Sequence, residues 1–357
     1  MTGHLGHQPL RGVRVVEIDG IGPVPFACRL LHGLGADVVR VTRPDAGPLG
    51  GDVGRALTAG RPTRTVDLKT DAGRREVLDL LRGADVLVEG LRPGAMERLG
   101  LGPREVLRRH PRVVYARMTG WGQDGPLVQR AGHDITYAAL AGVLHLAGSP
   151  EQPLPPANLL ADFGGGSMFL LVGILAALLE RERTGVGQVV DAAMVDGAAA
   201  LSTMLHGLAA QGLWSSRRGG NLLDGGAPFY STYRCADGGF VAVGALEPQF
   251  YRVLVDGLGL AERFAVEGVS QEDLGSWEAM REAFAEVFAR RARDDWAAHF
   301  ADTDACVAPV LTLRESTRHP HLTRRGVFGT EGGVTLPRVA PLFSGPDSVD
   351  LPRPPVP

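Results

Sequence analysis

The fold is decided near the amino terminus, by residues 13–41, VRVVEIDGIGPVPFACRLLHGLGADVVRV. Val13–Ile18 is rich in apolar, β-branched residues and ends at a cluster of glycines and prolines, which predicts a buried strand followed by a turn. A short helix at Phe26–Leu34, closed by Gly35, and a second strand at Val38–Val41 come next. Strand, helix and strand in this order form the unit from which parallel sheets are built.

The same alternation continues through the first half of the chain. Further strands are predicted at Arg64–Leu68, Val86–Val88, Val113–Met118 and Gln188–Asp191. Helices are predicted at 70–82, after Pro103, at 134–146, at 168–183 and at 195–212. We therefore expect an α/β layer with a mostly parallel sheet.

A change of composition marks a domain boundary near residues 214–226, which are polar and rich in glycine. Beyond it, Phe229–Cys235 and Phe240–Ala245 flank Asp237-Gly238-Gly239, a pattern typical of a β-hairpin. Amphipathic helices follow, including 277–289 and 294–300. A chain of 357 residues exceeds one comfortable core, so two domains are expected.

Composition excludes several classes of protein. The net charge of −3 gives no electrostatic footprint for nucleic acid. The longest apolar run, Met168–Leu179, is shorter than the roughly 18 residues of a membrane span, and residues 1–14 lack the apolar stretch expected of a signal sequence. We therefore expect a cytoplasmic protein that binds neither nucleic acid nor membrane. The three cysteines, Cys28, Cys235 and Cys306, are far apart and predict neither disulfides nor a metal site.

Standard cofactor motifs are missing from the sequence. Gly20-Ile21-Gly22-Pro23 lacks the third glycine of a dinucleotide fingerprint, and no G-K-[ST] or G-x-S-x-G occurs. Lys69 is the only lysine, so Schiff-base chemistry would have to use this residue alone. Hydride transfer, phosphate-loop hydrolysis and α/β-hydrolase chemistry are all disfavoured.

Asp162 is the strongest candidate for chemistry. It stands before Gly164-Gly165-Gly166-Ser167 and the apolar run, which predicts a loop feeding the N-terminus of a buried helix. Free N–H groups at such a turn stabilise a carboxylate or a developing oxyanion. A structural N-cap explains the same aspartate equally well.

Other polar residues have functional and ordinary explanations side by side. His133 can exchange protons with Asp162 and a carbon acid, but a polar histidine in a loop is ordinary. Glu247 precedes Pro248 and can be a first-turn helix residue. A group of arginines near predicted strand ends can bind the phosphates of a nucleotide-bearing ligand or be solvated charges: Arg40, Arg43, Arg55, Arg61, Arg64, Arg92 and Arg98.

Several blocks of the sequence resemble the family III CoA-transferases. They include Leu34-Gly35-Ala36-Asp37-Val38-Val39-Arg40-Val41, Asp67-Leu68-Lys69, Glu89-Gly90-Leu91-Arg92-Pro93-Gly94 and Tyr115-Ala116-Arg117-Met118-Thr119-Gly120-Trp121-Gly122. Gly132-His133-Asp134 and Asp162-Phe163-Gly164-Gly165-Gly166-Ser167-Met168 resemble the α-methylacyl-CoA racemases within that superfamily. The similarity runs from about residue 10 to residue 345 in the same order.

This resemblance implies an architecture. The fold class is α/β, with a Rossmann-like large domain and a small α+β domain in an interlocked homodimer. The implied divisions are a large CoA-binding domain at 1–190, a linker helix and loop at 191–225, a small domain at 226–320 and a return to the large domain at 321–357.

The resemblance also implies a site. His133 and Asp162 are the two proton carriers, and Glu247 is expected near His133, from the second subunit. No metal or cofactor is implied, because coenzyme A is part of the substrate. The implied contacts to the acyl-CoA are Arg43, Val66, Asp67, Leu68, Lys69, Gly90, Leu91, Arg92, Arg98, Gly132, Asp134, Ile135, Thr136 and Tyr137.

The expected reaction is the interconversion of (R)- and (S)-2-methylacyl-CoA through an enolate, with one carrier acting as base and the other as acid. N–H groups from Asp162 to Gly166 are the expected donors to the enolate oxygen. The alternative is CoA transfer, in which Asp162 attacks the thioester as a nucleophile. Because transfer has no use for a second, opposed base, His133 favours racemisation. A third alternative is a protein that binds CoA without catalysis.

Overall fold

Strands and helices alternate along the first half of the chain. The structure, a computed structural model, describes residues 8–44 and 52–344, without the side chains of Asp52, Val53 and Arg55. The strands are β1 (Arg14–Ile18), β2 (Asp37–Thr42), β3 (Thr63–Thr65), β4 (Val86–Glu89), β5 (Val114–Thr119), β6 (Val189–Ala193), β7 (Tyr230–Arg234), β8 (Phe240–Gly244), β9 (Val307–Pro309), β10 (Phe328–Glu331) and β11 (Val334–Pro337).

The helices differ widely in length. They are α1 (Pro23–Gly33), α2 (Asp52–Thr58), α3 (Asp71–Leu80), α4 (Ala95–Arg98), α5 (Pro103–Arg109), α6 (Asp134–Leu140), α7 (Met168–Thr184), α8 (Met194–Leu201), α9 (Thr203–Ala210), α10 (Pro248–Gly257), α11 (Ala261–Glu267), α12 (Trp277–Phe288), α13 (Arg293–Phe300), α14 (Leu313–Ser316) and α15 (Pro320–Arg324). A π-helix, Leu159–Ser167, leads directly into α7.

The large sheet has the order β3-β2-β1-β4-β5-β6. Every neighbouring pair in it is parallel, and Glu17 of β1 lies beside Arg40 of β2. Since β1 and β4 are adjacent, the chain order reverses between them, and ligands of open α/β sheets bind at the carboxyl ends of strands at such a point. The predicted α/β fold is confirmed.

The chain divides into two compact units. The first contains the parallel sheet and comprises described residues from 1–143, 156–203 and 324–357. The second comprises 144–155 and 204–323. The antiparallel sheet β7-β8-β9 and a core around Phe284, Phe288 and Trp296 lie in this second unit. Residues 144–155, which the sequence analysis assigned to the large domain, therefore belong with the second unit.

Two buried ion pairs involve residues of the parallel sheet. The Nε of Arg61 donates to Glu17 Oε2 at 2.9 Å, and neither side chain is exposed. Burial raises the pKa of Glu17 to about 7, although the charges of Arg61 and Arg40 oppose this shift. In β5, Arg117 donates to Glu89 of β4 at 3.0 Å. Removing one member of such a pair leaves an uncompensated buried charge, which costs about 3–5 kcal/mol.

Several predicted boundaries needed correction. The helix predicted at 134–146 ends at Leu140, because Gly142 adopts φ +82°. The helix predicted at 195–212 is interrupted at Ser202, whose hydroxyl donates to the Ala199 carbonyl. The third strand of the small sheet, β9, was not predicted.

The longest helical segment is also apolar. Leu159–Thr184 spans 26 residues with a mean hydropathy of 1.8 in its most apolar window, enough by length and composition to cross a membrane. The buried core helix of a soluble protein passes the same test, and this segment packs on α1, α8 and β5. Of its most apolar window, 39% is buried, so one face of the segment packs in the core and the other is exposed.

Candidate active site

A cavity of about 410 Å³ opens at the carboxyl edge of the parallel sheet. Its walls come from the segments that follow β1, β4 and β5, from the start of α6 and from the π-helix. The lining residues include Gly22, Pro23, Gly90, Leu91, Arg92, Met118, Thr119, Gly120, Trp121, Arg130, Gly132, His133, Tyr137, Asp162 and Met194. His133 and Asp162, which lie 29 positions apart in sequence, therefore share one cavity.

The backbone of His133 is held firmly at the start of α6. Its N–H donates to Thr136 Oγ1 at 3.0 Å, and the Thr136 hydroxyl donates to the His133 carbonyl at 2.8 Å. The same carbonyl accepts the N–H groups of Thr136 and Tyr137. The side chain of His133 is exposed. An anchored backbone with an exposed imidazole suits a proton carrier.

Asp162 is half-buried within the π-helix. The Nδ2 of Asn158 donates to its Oδ2 at 3.3 Å, and the Oδ2 lies 3.5 Å from the point where a Cβ on Gly22 would stand. Burial is the largest cause that raises the pKa of Asp162; the negative charge of Asp134 raises it further, against the Asn158 hydrogen bond and His133. This carboxyl group therefore holds a proton at higher pH than an exposed aspartate.

The prediction that Asp162 occupies a loop before a helix is wrong. The π-helix begins three residues earlier and continues into α7 without a break. In a π-helix each N–H donates to the carbonyl five residues before it, as the Met168 N–H does to Phe163. The N–H groups of Gly164, Gly165 and Gly166 are thereby occupied, and the Asp162 N–H donates to Asp134. They are not free to stabilise an oxyanion.

Tyr137 forms a rigid wall of the cavity. Its ring lies edge-on to Trp121, with centroids 4.7 Å apart, and a Cβ on Gly120 would overlap the ring. A Cβ on Gly132 would approach a ring carbon to 2.5 Å. Burial and the charge of Asp162 raise the pKa of Tyr137, so the phenol remains protonated at neutral pH. Glycine at positions 120 and 132 is thus required for the phenol to reach the cavity.

Comparison with known proteins identifies the family. Residues 10–356 match the family model described as CoA-transferase family III. The chain belongs to this family. α-Methylacyl-CoA racemases of Mus musculus and Homo sapiens are each 48% identical to it, over 94% of this chain and 86% of their own. A crystal structure of a CAIB/BAIF family protein from Brucella suis superposes with a TM-score of 0.82 and 26% identity, covering 95% of this chain and 93% of that one.

In this member of CoA-transferase family III, the residues predicted to contact acyl-CoA divide into two groups. The first lines the cavity: Gly90, Leu91, Arg92, Gly132 and Tyr137. The second lies outside its lining: Arg43, Val66, Asp67, Leu68, Lys69, Arg98, Asp134, Ile135 and Thr136. Val66 and Leu68 are buried in the sheet core, and the Thr136 hydroxyl is engaged by His133. Contacts of this second group with CoA stay predictions.

Two of the candidate phosphate-binding arginines have structural partners instead. Arg61 pairs with Glu17, and Arg40 donates to Asp19 at 2.6 Å while also facing Glu17. The interpretation that these two bind phosphate is disfavoured because their charges are already compensated within the sheet. The side chain of Arg55 lies outside the described residues.

Some cavity residues were not predicted as site residues. Arg130 and Trp121 line the cavity, and Gly22 borders the Asp162 carboxylate at φ +69°. Gly22 was noticed only as part of an incomplete nucleotide fingerprint. Arg130 stands three positions before His133, and this proximity was the available signal.

Glu247 belongs to the second unit. It is exposed and occupies the N-cap position of α10, followed by Pro248 at the first helical position. The ordinary interpretation as a residue at a helix start describes its local structure. Its expected role beside His133 stays a prediction.

Proposed function

We propose that this enzyme is a cofactor-independent racemase that interconverts (R)- and (S)-2-methylacyl-CoA thioesters. The observation that carries the proposal is that His133 and Asp162 line one cavity at the carboxyl edge of the sheet. The 48% identity to racemases of that name supports the substrate class. The reaction needs two proton carriers and no metal or redox group.

The proposed reaction breaks the C2–H bond of the thioester and passes that proton to one carrier. The electron pair moves into an enolate, and the other carrier protonates C2 from the opposite face. Asp162 is suited to both roles, because its raised pKa strengthens it as a base and keeps its proton available for return. His133 complements it with an imidazole, the side chain that most often serves as a general acid or base.

The enolate oxygen needs hydrogen-bond donors. The N–H groups of Asp134 and Ile135 follow His133 directly and have no acceptor in the part of the chain that the structure describes. They are the first two residues of α6, where N–H groups lack intrahelical partners. Neither residue is part of the cavity lining, but both directly follow His133, which lines the cavity, and we propose them as the donors in place of the occupied N–H groups of the π-helix. Loss of one such donor typically costs on the order of 3 kcal/mol of transition-state stabilisation.

The CoA portion carries phosphates that need positive charge. Arg92 and Arg130 line the cavity, and neither forms an ion pair within residues 8–44 and 52–344. We propose that they attract these phosphates. Arg43 and Arg98 are exposed and remain candidates for the same role.

We further propose a homodimer in the cytoplasm. The side chains of Met168, Phe169, Val172, Ala176 and Leu179 are exposed along α7 at a spacing of three or four residues, which places them on one helix face. A continuous exposed apolar face is typical of a protein interface, and family resemblance favours a second copy as its occupant. In this dimer Glu247 of the other subunit would orient His133.

The test incubates pure (R)-2-methyldecanoyl-CoA in deuterated water without a carboxylic acid acceptor. We expect deuterium at C2 together with loss of optical purity. His133→Gln and Asp162→Asn should each lower this exchange by about 10²–10⁴-fold, the usual contribution of a general acid or base. His110→Gln, a change outside the cavity, is the control and should exchange like the wild type.

CoA transfer is the second candidate, because a half-buried carboxylate in the cavity also suits a nucleophile. In that reaction Asp162 forms a mixed anhydride and CoA passes to a free acid. Turnover only after addition of a carboxylic acid, without deuterium at C2, would establish transfer and refute racemisation. Binding of the ester with neither outcome would indicate a protein without catalysis.

A further inference from the structure

One buried carboxylate connects the two segments that carry His133 and Asp162. Asp134 is 5% exposed, and its Oδ2 accepts the N–H of Ala161 at 2.6 Å and the N–H of Asp162 at 2.8 Å. These bonds join positions 27 and 28 residues apart in sequence. No other side chain within the described ranges bonds the backbone N–H of Asp162.

The position of these bonds within the π-helix explains their importance. A π-helix leaves the N–H groups of its first turn without partners inside the helix. Ala161 and Asp162 belong to that turn, and Ala161 is fully buried. An external acceptor must therefore replace water there, and the short distances are typical of a charged acceptor.

The other side of Asp134 is tied to His133. Asp134 is the first residue of α6, and the backbone of the preceding His133 is fixed by Thr136. A shift of the Asp134 side chain would therefore change the position of Asp162 relative to His133.

The second carboxylate oxygen of Asp134 indicates that this side chain does more than fill space in the core. Asp134 Oδ1 is buried and has no hydrogen-bond partner in the described part of the chain. A neutral acceptor would satisfy both N–H groups at a lower desolvation cost. The negative charge of Asp134 also acts on Asp162, whose pKa is raised mainly by burial and further by this charge.

We propose that Asp134 is a positioning residue, which fixes the backbone of Asp162 relative to His133 within the shared cavity. The inference rests on the proposed racemisation, in which both side chains must reach the same C2 atom. A misplacement of about 1 Å can cost 10²-fold in rate.

The experiment compares Asp134→Ala with Asp134→Asn. The alanine variant removes both acceptors and should lower kcat by about 10²-fold while KM for the acyl-CoA changes little. The asparagine variant keeps a neutral oxygen for the two N–H groups and should recover most of the lost kcat. Because its negative charge is gone, the pKa of Asp162 should fall, and the acid side of the pH profile should move to lower pH. Besides burial and Asp134, the groups that act on this pKa are Asn158 and His133, while Tyr137 lies close enough for its own pKa to be raised by Asp162.

A readout independent of activity is amide hydrogen exchange of the peptide around residues 158–164. Exchange should be faster in Asp134→Ala than in the wild type and in Asp134→Asn. Unchanged exchange and unchanged kcat in the alanine variant would overturn the inference. If the alanine variant does not fold, an unshifted pH profile in Asp134→Asn would overturn it instead. A wild-type protein that exchanges no deuterium at C2 would refute the proposed function, whereas the amide exchange would still decide the position of Asp162.

Discussion

At Asp162, a single carboxyl group experiences opposing influences. Withdrawal from water and the neighbouring charge of Asp134 favour its protonated form, whereas Asn158 and His133 favour the carboxylate. Burial and the charge of Asp134 prevail, so the pKa of Asp162 lies above the ordinary value of 3.8. A carrier that must both accept and return a proton benefits from this shift, since a very weak base cannot remove a proton from carbon.

This shift predicts the pH dependence of the reaction. For the enantiomer whose proton Asp162 removes, activity requires the carboxylate, so kcat/KM should fall as pH decreases through the raised pKa. The decline should therefore begin at higher pH than an exposed aspartate with a pKa of 3.8 would allow. The measurement is deuterium wash-in for each enantiomer between pH 4 and pH 9. Enzyme returned to pH 7 serves as the control for denaturation, and a profile that is flat down to pH 4 would contradict the prediction.

Among the elements, the π-helix and α8 cross at glycines. A Cβ on Gly165 would lie 2.5 Å from the N of Ala198, and one on Gly197 would overlap the carbonyl oxygen of Gly165. The backbones can be this close only because both residues lack a side chain. This close contact with α8 therefore fixes the position of the π-helix, which carries Asp162.

Gly197→Ala should separate the two helices. We expect the free energy of unfolding to fall by about 1–3 kcal/mol, the usual cost of overpacking, although alanine is the better helix former. Displacement of the π-helix should also lower kcat. Urea denaturation and the exchange assay measure the two effects. Gly207→Ala in α9 is the matched control. A Cβ added at this position would have no other atom within 4 Å, so the substitution should not destabilise the protein. A Gly197→Ala protein as stable and active as the control would show that the crossing tolerates a methyl group.

For the whole molecule, the main question is what covers the apolar face of α7. Val172 is 61% exposed and Leu179 is 68% exposed, although both lie on a helix whose other face is buried in the core. Large apolar side chains on one exposed face destabilise a monomer in water or bind a partner. The proposed homodimer explains their exposure.

Val172→Asp combined with Leu179→Asp should therefore convert a dimer into a monomer. Each buried aliphatic side chain contributes about 1.5–3 kcal/mol, so loss of both should weaken association by at least about 10²-fold. Sedimentation equilibrium at micromolar concentration measures the mass, and circular dichroism checks the fold. Val266→Asp, at a position 88% exposed in α11, is the control and should leave the mass unchanged. A wild-type protein that sediments as a monomer would refute the proposed dimer.

The sequence by itself determined the parallel sheet and the two residues of interest. Strands such as β1 and β4 are rich in buried apolar residues, and the helix predicted at 70–82 forms as α3 behind the Thr70 cap, so both follow from neighbouring residues. His133 and Asp162 stood out because imidazole and carboxyl groups are the side chains that move protons.

Only the tertiary structure decided how those side chains are held. Asp162 lies in a π-helix rather than a loop, because Asp134, 28 residues away, accepts its N–H and glycines allow α8 to approach. Arg61 is withdrawn from ligand binding because Glu17, 44 residues away, lies beneath it. Hydrogen bonds and ion pairs of this kind join residues distant in sequence, so local patterns carry no signal for them, and folding alone creates the partners.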